Sequence, residues 1–182
     1  VELPEGLRDD AGIEYDVGDV LMAAVPLPQR IAAADVVAGR GIISAGAMVD
    51  LYSQLWSEEI QGDARSRAVT LREAYVAQDP AERLAAMQEL WGSAGDGSAA
   101  YGRRVLTAYA AARLPVDEAL IDYAADLVGS MLAAGLDRNA MRWGAAVPEG
   151  SEAWALLALA QPERETEVGS GAVQNFISDD TS

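Results

Sequence analysis

Residues 44–57, SAGAMVDLYSQLWS, match residues 79–92, DPAERLAAMQELWG, at a spacing of 35. Each stretch opens on a side chain that favours the N-cap of a helix, and each closes on Leu-Trp before Ser57 or Gly92. In between, apolar residues recur every three or four positions, which is typical of a helix that buries one face. The match therefore predicts two related helices, each with a single apolar stripe.

Helix start signals continue at similar intervals on both sides of this pair. One series of predicted starts lies near residues 28, 63, 98 and 137, and a second lies near 44, 79, 117 and 151. No run alternates apolar and polar residues as a half-buried strand does. The sequence thus predicts an all-α fold of about eight helices with little or no sheet, in which stacked antiparallel helix pairs form a superhelix or short solenoid.

The same signals divide the chain into three segments. Residues 1–19 carry two turn signals and five Asp or Glu between Asp9 and Asp19, and they predict an irregular acidic N-terminal arm. Residues 20–162 predict the helical-repeat domain. Residues 163–182 predict a polar C-terminal tail, in which Val173–Ile177 could form a short helix.

Across residues 28–161, the period near 35 and the paired helices resemble those of tetratricopeptide-type and related αα-repeat proteins. The resemblance lies in the architecture, and it carries over no functional residue. It implies a chain that binds other proteins or peptides, or a helical scaffold beside a catalytic domain elsewhere in a longer chain.

The residue types that most enzyme mechanisms need are missing, since the chain has no His, no Cys and no Lys. Without an imidazole, neither a Ser-His-Asp nor a Cys-His site can form. Schiff-base and pyridoxal phosphate chemistry needs Lys, and zinc, copper and haem iron are normally held by His or Cys. We therefore expect no catalytic residue, no cofactor, no metal site and no enzymatic activity.

The charge balance bears on the kind of partner. The chain has 29 Asp and Glu against 13 Arg, and its net charge of −16 repels phosphate backbones and anionic lipids. A solvated acidic surface is the simplest interpretation, and a basic partner or cation is the alternative. The longest apolar runs have eight residues, far short of the roughly 20 that span a bilayer. We expect a protein or peptide partner, no nucleic acid and no membrane insertion.

The start of the chain and its lack of Cys bear on the compartment. The sequence begins at Val1 without Met and without a basic, apolar leader, so either a signal was removed or the sequence is cut from a longer one. A chain without Cys fits oxidising and reducing compartments equally. We expect a soluble bacterial protein of the cytoplasm or the periplasm.

Three near-motifs have ordinary interpretations. Residues Gly97–Arg104, GSAAYGRR, have the glycine spacing of a phosphate loop but lack its Lys and its Ser or Thr, so they predict a helix N-terminus. The acids of residues 9–19 lack the spacing of a calcium loop. Glu118, Asp122 and Asp126 follow one another at intervals of four, which predicts a solvated helix face rather than a hydrolytic carboxylate pair.

Four Trp residues and three Arg residues are the candidates for partner binding. All four Trp occupy apolar helical positions and predict core packing: Trp56, Trp91, Trp143 and Trp154. An exposed Trp would mark a binding face instead, and Arg65, Arg67 and Arg72 lie off the apolar stripe of their helix, where they could hold a partner's carboxylate. The candidate partner-binding residues are Arg65, Arg67, Arg72 and Trp91.

Three functions remain open. The first is a non-enzymatic protein-interaction or scaffold domain built from helix pairs, which follows from the period and from the missing catalytic residue types. The second is an accessory superhelical domain of a larger bacterial cell-envelope enzyme. The third is a glycan hydrolase that works with carboxylates alone, and it requires two close acids in an aromatic cleft.

Overall fold

A computed structural model describes residues 5–57, 62–95, 97–161 and 168–179, and every regular element within those ranges is helical. The protein is all-α. Two short 3₁₀-helices cover Glu118–Tyr123 and Met141–Trp143. The described residues also form ten α-helices: α1 Glu5–Leu21, α2 Leu27–Gly39, α3 Ala45–Ser57, α4 Asp63–Val76, α5 Pro80–Gly92, α6 Ser98–Ala112, α7 Ala124–Ala133, α8 Asp137–Ala140, α9 Glu152–Ala160 and α10 Ser170–Asp179.

Side-chain caps set the start of several helices, as predicted. The Ser44 hydroxyl accepts from the Ala47 amide at 3.2 Å before α3, and the Asp79 carboxylate accepts from the Ala81 amide at 2.9 Å before α5. Pro80 then occupies the first turn of α5, where its missing N–H has no helical partner to lose. These contacts confirm the two caps on which the internal match was based.

The N-terminal segment is helical, whereas its sequence predicts an irregular arm. Helix α1 runs through Gly12 and Gly18, residues that weaken an isolated helix but are tolerated when the helix packs on a neighbour. That neighbour is α2. Gln29 donates to the Asp19 carboxylate at 2.8 Å, and the Arg30 Nε donates to the Val20 carbonyl at 3.2 Å. Tertiary packing therefore overrides the local turn signals.

The chain divides into two compact units. Unit 1 covers Val1–Thr107, and unit 2 covers Ala108–Ser182. Within unit 1, α1 to α5 pack sequentially, each on the next. Alternate helices start 35 or 36 residues apart, at 27, 63 and 98 and at 45 and 80. The core of unit 1 includes Ile31, Met48, Tyr52, Leu55, Met87, Leu90 and Leu106.

Helices α2 and α6 cross in direct contact inside unit 1. At the crossing, a methyl group on Gly102 would overlap the Asp35 carbonyl, and one on Gly39 would overlap the Ser98 carbonyl. A linear stack of helix pairs would place α4 and α5 between these two helices. Helices α2 and α6 of unit 1 instead touch each other directly at these two glycines.

Unit 2 is built around α7. The sequence predicts one long helix from Asp117 to Ala134, but the structure has a 3₁₀-helix before α7. The Asp117 carboxylate caps this 3₁₀-helix by accepting from the Ala119 amide at 2.9 Å. Helices α8 and α9 pack on α7. The core of unit 2 includes Leu114, Leu127, Met131, Trp143 and Leu157.

The C-terminal tail contains the short helix that its apolar residues predict, as α10. It lies close to Gly150 within unit 2, because a methyl group there would contact the Asn175 side chain and the Ala172 carbonyl. None of the helices in the described part of the chain is both long enough and apolar enough to cross a membrane.

Candidate binding groove and the buried charges beneath it

An apolar groove lies between α3 and α4 in unit 1, with a volume of about 170 Å³. We call it the α3–α4 groove. Helix α3 contributes Val49, Tyr52 and Ser53 to its lining. Helix α4 contributes Ala68, Leu71, Arg72, Tyr75 and Val76. Both sets follow helical spacing, so the groove is the seam between two neighbouring helix faces.

The floor of the groove is the ring of Tyr52, which is only 1% exposed. Its hydroxyl donates to the Asp35 carboxylate on α2, at 3.0 Å to Oδ1 and 3.4 Å to Oδ2. The Arg103 Nε on α6 donates to the same carboxylate at 2.6 Å from Oδ2. The groove therefore rests on a buried network that joins α2, α3 and α6.

This network is almost completely shielded from solvent, since the Asp35 and Arg103 side chains are each 3% exposed. Burial raises the pKa of the Asp35 carboxyl above its usual value, although the Arg103 charge and the hydrogen bonds from Arg103 and Tyr52 oppose the rise. Burial and the neighbouring Asp35 charge also raise the pKa of the Tyr52 phenol. Tyr52 therefore stays protonated at neutral pH and acts as a hydrogen-bond donor.

A second cation lies near this network. The positive charge of Arg67 on α4 acts on both Asp35 and Tyr52, and it favours the ionised form of each. Its Nε atom is buried and has no hydrogen-bond partner within the described residues. Two cations thus act on the Asp35 carboxylate, Arg103 through direct contact and Arg67 through its charge.

The far end of the groove is held by Tyr75 and opens at Val76. The Tyr75 hydroxyl donates to the Leu106 carbonyl on α6 at 3.0 Å, which fixes its ring against the wall. Leu71 is buried, whereas the Val76 side chain is 55% exposed and Arg72 is exposed. One end therefore presents an apolar side chain and a guanidinium to solvent.

The size and lining of the groove limit what it can hold. Pockets for small molecules and cofactors are about 300 to 1,000 Å³, so a groove of about 170 Å³ is too small for most of them. It does have room for an apolar side chain of another protein. Such pockets, filled by single anchoring side chains, supply most of the binding energy of many interfaces.

The four residues predicted for partner binding lie in different surroundings. Arg65 is partly buried, and its Nη1 donates to the Leu55 carbonyl at 2.6 Å. The charge of Arg67 acts on Asp35 of the buried network, and Arg72 lines the α3–α4 groove. Trp91 is half-buried, its Nε1 donates to the Thr107 hydroxyl at 2.8 Å, and the Arg104 guanidinium lies 5.2 Å from the centre of its ring. The structure therefore places Arg72 in the groove and gives Arg65 and Trp91 contacts within unit 1.

The remaining Trp residues divide by exposure. Trp143 is completely buried in unit 2, as predicted for a core residue, and its Nε1 has no hydrogen-bond partner in the part of the chain described. Trp154 is partly buried. The side chain of Trp56 lies outside the described residues.

The near-motifs of the sequence have structural explanations. Residues 98–104 form the first turns of α6, preceded by Gly97 at φ +80°, as predicted for a helix N-terminus. Within these turns, Arg103 is buried and paired with an acid, Asp35. Glu118 and Asp122 are exposed on the 3₁₀-helix and Asp126 is partly exposed on α7, so the three acids do not share the face of a single α-helix as predicted. The side chains of Asp9 and Asp10 lie outside the described residues, and the other acids of that segment belong to α1 rather than to a loop.

A second depression, of about 440 Å³, lies between α4 and α5. Its lining has three carboxylates, Glu73, Glu82 and Glu89, together with three Ala residues. The aromatic side chains that a glycan cleft uses are missing from this lining. Within the residues that the structure describes, no three acidic side chains are placed so that they could hold a metal ion.

Sequence reasoning missed Asp35, the centre of the buried network. The signal was present, because Asp35 stands alone in the run IAAADVVA, where apolar residues occupy every side of the helix. A charged residue in such a helix must find a buried partner. The partner, Arg103, is 68 residues away, and no local pattern identifies it.

Comparison with known proteins adds no relative: no family model, no curated protein and no solved structure matches this chain.

Proposed function

We propose that this chain is a non-enzymatic protein-interaction domain, and that its α3–α4 groove receives an apolar side chain of the partner. The observation that carries the proposal is the groove itself, an open apolar pocket with a rigid aromatic floor and the exposed Val76 at its edge. The hydrogen bonds of Tyr52 and Tyr75 hold its floor and one wall in place before any partner binds. Preorganised walls reduce the entropy that binding must overcome.

Two further observations support this proposal. Alternate helices from α2 to α6 begin 35 or 36 residues apart, which is consistent with recurring helix pairs of the kind that bind proteins and peptides. The chain also lacks the His, Cys and Lys on which most catalytic mechanisms depend. A binding role requires none of these residues.

A charge placed at the mouth of the groove tests the proposal. We expect Val76→Asp to weaken partner binding at least about tenfold, because an apolar anchor would then face a carboxylate. Partners are recovered from a cell extract by affinity capture, identified by mass spectrometry and measured by titration calorimetry.

Val69→Asp is the matched control. Val69 lies on the same helix and is 40% exposed, but it does not line the groove, so this variant should retain the affinity of the parent protein. Circular dichroism of both variants checks that they remain folded. If the parent protein and both variants bind the partner with equal affinity, the α3–α4 groove is not part of the interface.

A further inference from the structure

The lining of the α3–α4 groove includes a single charged side chain among its described residues. Among the eight residues that form it, Arg72 is the charged one, and none carries a carboxylate. The carboxylate beneath the floor, on Asp35, is already paired with Arg103 and Tyr52. Among the described lining residues, Arg72 therefore supplies the formal charge, in a chain whose net charge is −16.

The secondary structure of the walls restricts the form of the occupant. An extended peptide binds by adding a strand to an open sheet edge, where it pairs its backbone groups. Helices α3 and α4 present side chains instead, because their backbone groups are bonded within the helices. A helical segment, whose own backbone groups are already paired, matches such a surface.

The length of the groove fits one face of a short helix. Its α4 wall extends from Ala68 to Val76, which corresponds to about 12 Å along the helix axis, or two turns. Side chains four residues apart on a helix are about 6 Å from each other. One apolar side chain in the groove and a second side chain at Arg72 would therefore come from adjacent turns of the same segment.

We propose that the partner contributes an amphipathic helix that places an apolar side chain in the α3–α4 groove and a Glu or Asp, one turn away, against Arg72. This inference rests on the proposed function and assigns its partner. The planar guanidinium has five N–H donors, so it can bind a carboxylate while keeping another contact. A second copy of this strongly acidic chain is disfavoured as the occupant, because the two copies repel each other.

Helical peptides test the inference directly. Three Ala-rich peptides of about 18 residues carry one central Leu, with Glu, Gln or Lys placed four residues before and after it. A fourth peptide replaces the Leu of the Glu version with Ala. Binding to the full chain is followed by NMR, through the methyl shifts of Leu71 and Val76 at low and at high salt.

We expect the Glu peptide to bind at least about threefold more tightly than the Gln peptide, and the Lys peptide to bind most weakly. The differences should shrink at high salt, since the contact is exposed. Arg72→Gln should make the affinities of the Glu, Gln and Lys peptides equal. Arg72→Glu should reverse their order, so that the Lys peptide binds most tightly. Arg40→Gln is the matched control: Arg40 is exposed immediately after the end of α2, outside the groove, and its loss should leave the order of peptide affinities unchanged.

The outcomes separate the two proposals. Equal binding of the Glu, Gln and Lys peptides, with loss of binding for the Ala peptide, would overturn the role of Arg72 and keep the groove as a binding site. Equal binding of the Leu and Ala peptides would overturn both. If the Glu peptide still binds more tightly than the Lys peptide in the Arg72→Gln variant, Arg72 is not the residue that contacts the partner's carboxylate.

Discussion

Arg103→Met is expected to lower the free energy of unfolding by about 3–5 kcal/mol. The substitution removes the cation that lies 2.6 Å from the Asp35 carboxylate while both side chains are 3% exposed. Asp35 would then keep the hydrogen bond from Tyr52 and the influence of the Arg67 charge, but it would lose the ion pair in direct contact with it. Urea denaturation followed by circular dichroism measures the effect.

A double-mutant cycle separates the charge from the packing. Asp35→Leu should be similarly destabilising, because it leaves Arg103 buried without its carboxylate, whereas the combined Asp35→Leu and Arg103→Met variant should be more stable than the sum of the two losses predicts. Tyr52→Phe removes only the hydroxyl that donates to Asp35 and should cost about 1–3 kcal/mol. Strictly additive losses would mean that the ion pair contributes nothing specific.

Gly102→Ala is expected to destabilise the chain by about 2 kcal/mol or more, although Ala favours helices over Gly by about 1 kcal/mol. The added methyl group would overlap the carbonyl of Asp35, so α2 and α6 would have to separate. Any separation also lengthens the contact between Arg103 and Asp35, because those residues lie on the same two helices. Thermal and urea denaturation both report the loss.

Gly46→Ala is the control for this effect. Gly46 lies in α3, and the nearest atom to an added methyl group is the Ser44 Oγ at 3.8 Å, an ordinary contact. The substitution should be neutral or stabilise by up to about 1 kcal/mol. If Gly102→Ala and Gly46→Ala change the free energy of unfolding equally, the crossing of α2 and α6 does not require a glycine at position 102.

The helical content and several helix starts could be predicted because their causes are local. The Ser44 and Asp79 caps bond to amides two or three residues away, and the stripe of Met48, Leu51, Tyr52 and Leu55 is buried as its spacing predicts. Local patterns predict burial less well where tertiary contacts determine which side chains are covered. On α6, Tyr101 and Tyr109 recur with Val105 at the spacing of an apolar helix face, yet they are 48% and 42% exposed.

The site was less accessible to sequence reasoning than the fold. Arg72 could be named as a binding candidate because it lies off the apolar stripe of its helix, but the groove beside it depends on how α3 and α4 pack. The stripe on α3 showed that Tyr52 is buried, but it could not show that its hydroxyl meets Asp35. Pairings between distant helices leave no spacing in the sequence, so the network under the groove emerged only from the structure.

The ion pair between α2 and α6 also orders events during synthesis. Asp35 leaves the ribosome 68 residues before Arg103, a delay of about 3–14 s at ordinary rates of elongation. Through that interval the nascent chain holds an acidic group that cannot enter an apolar interior alone. Unit 1 therefore completes its core only after α6 has been made, and chains released earlier should remain open to proteases.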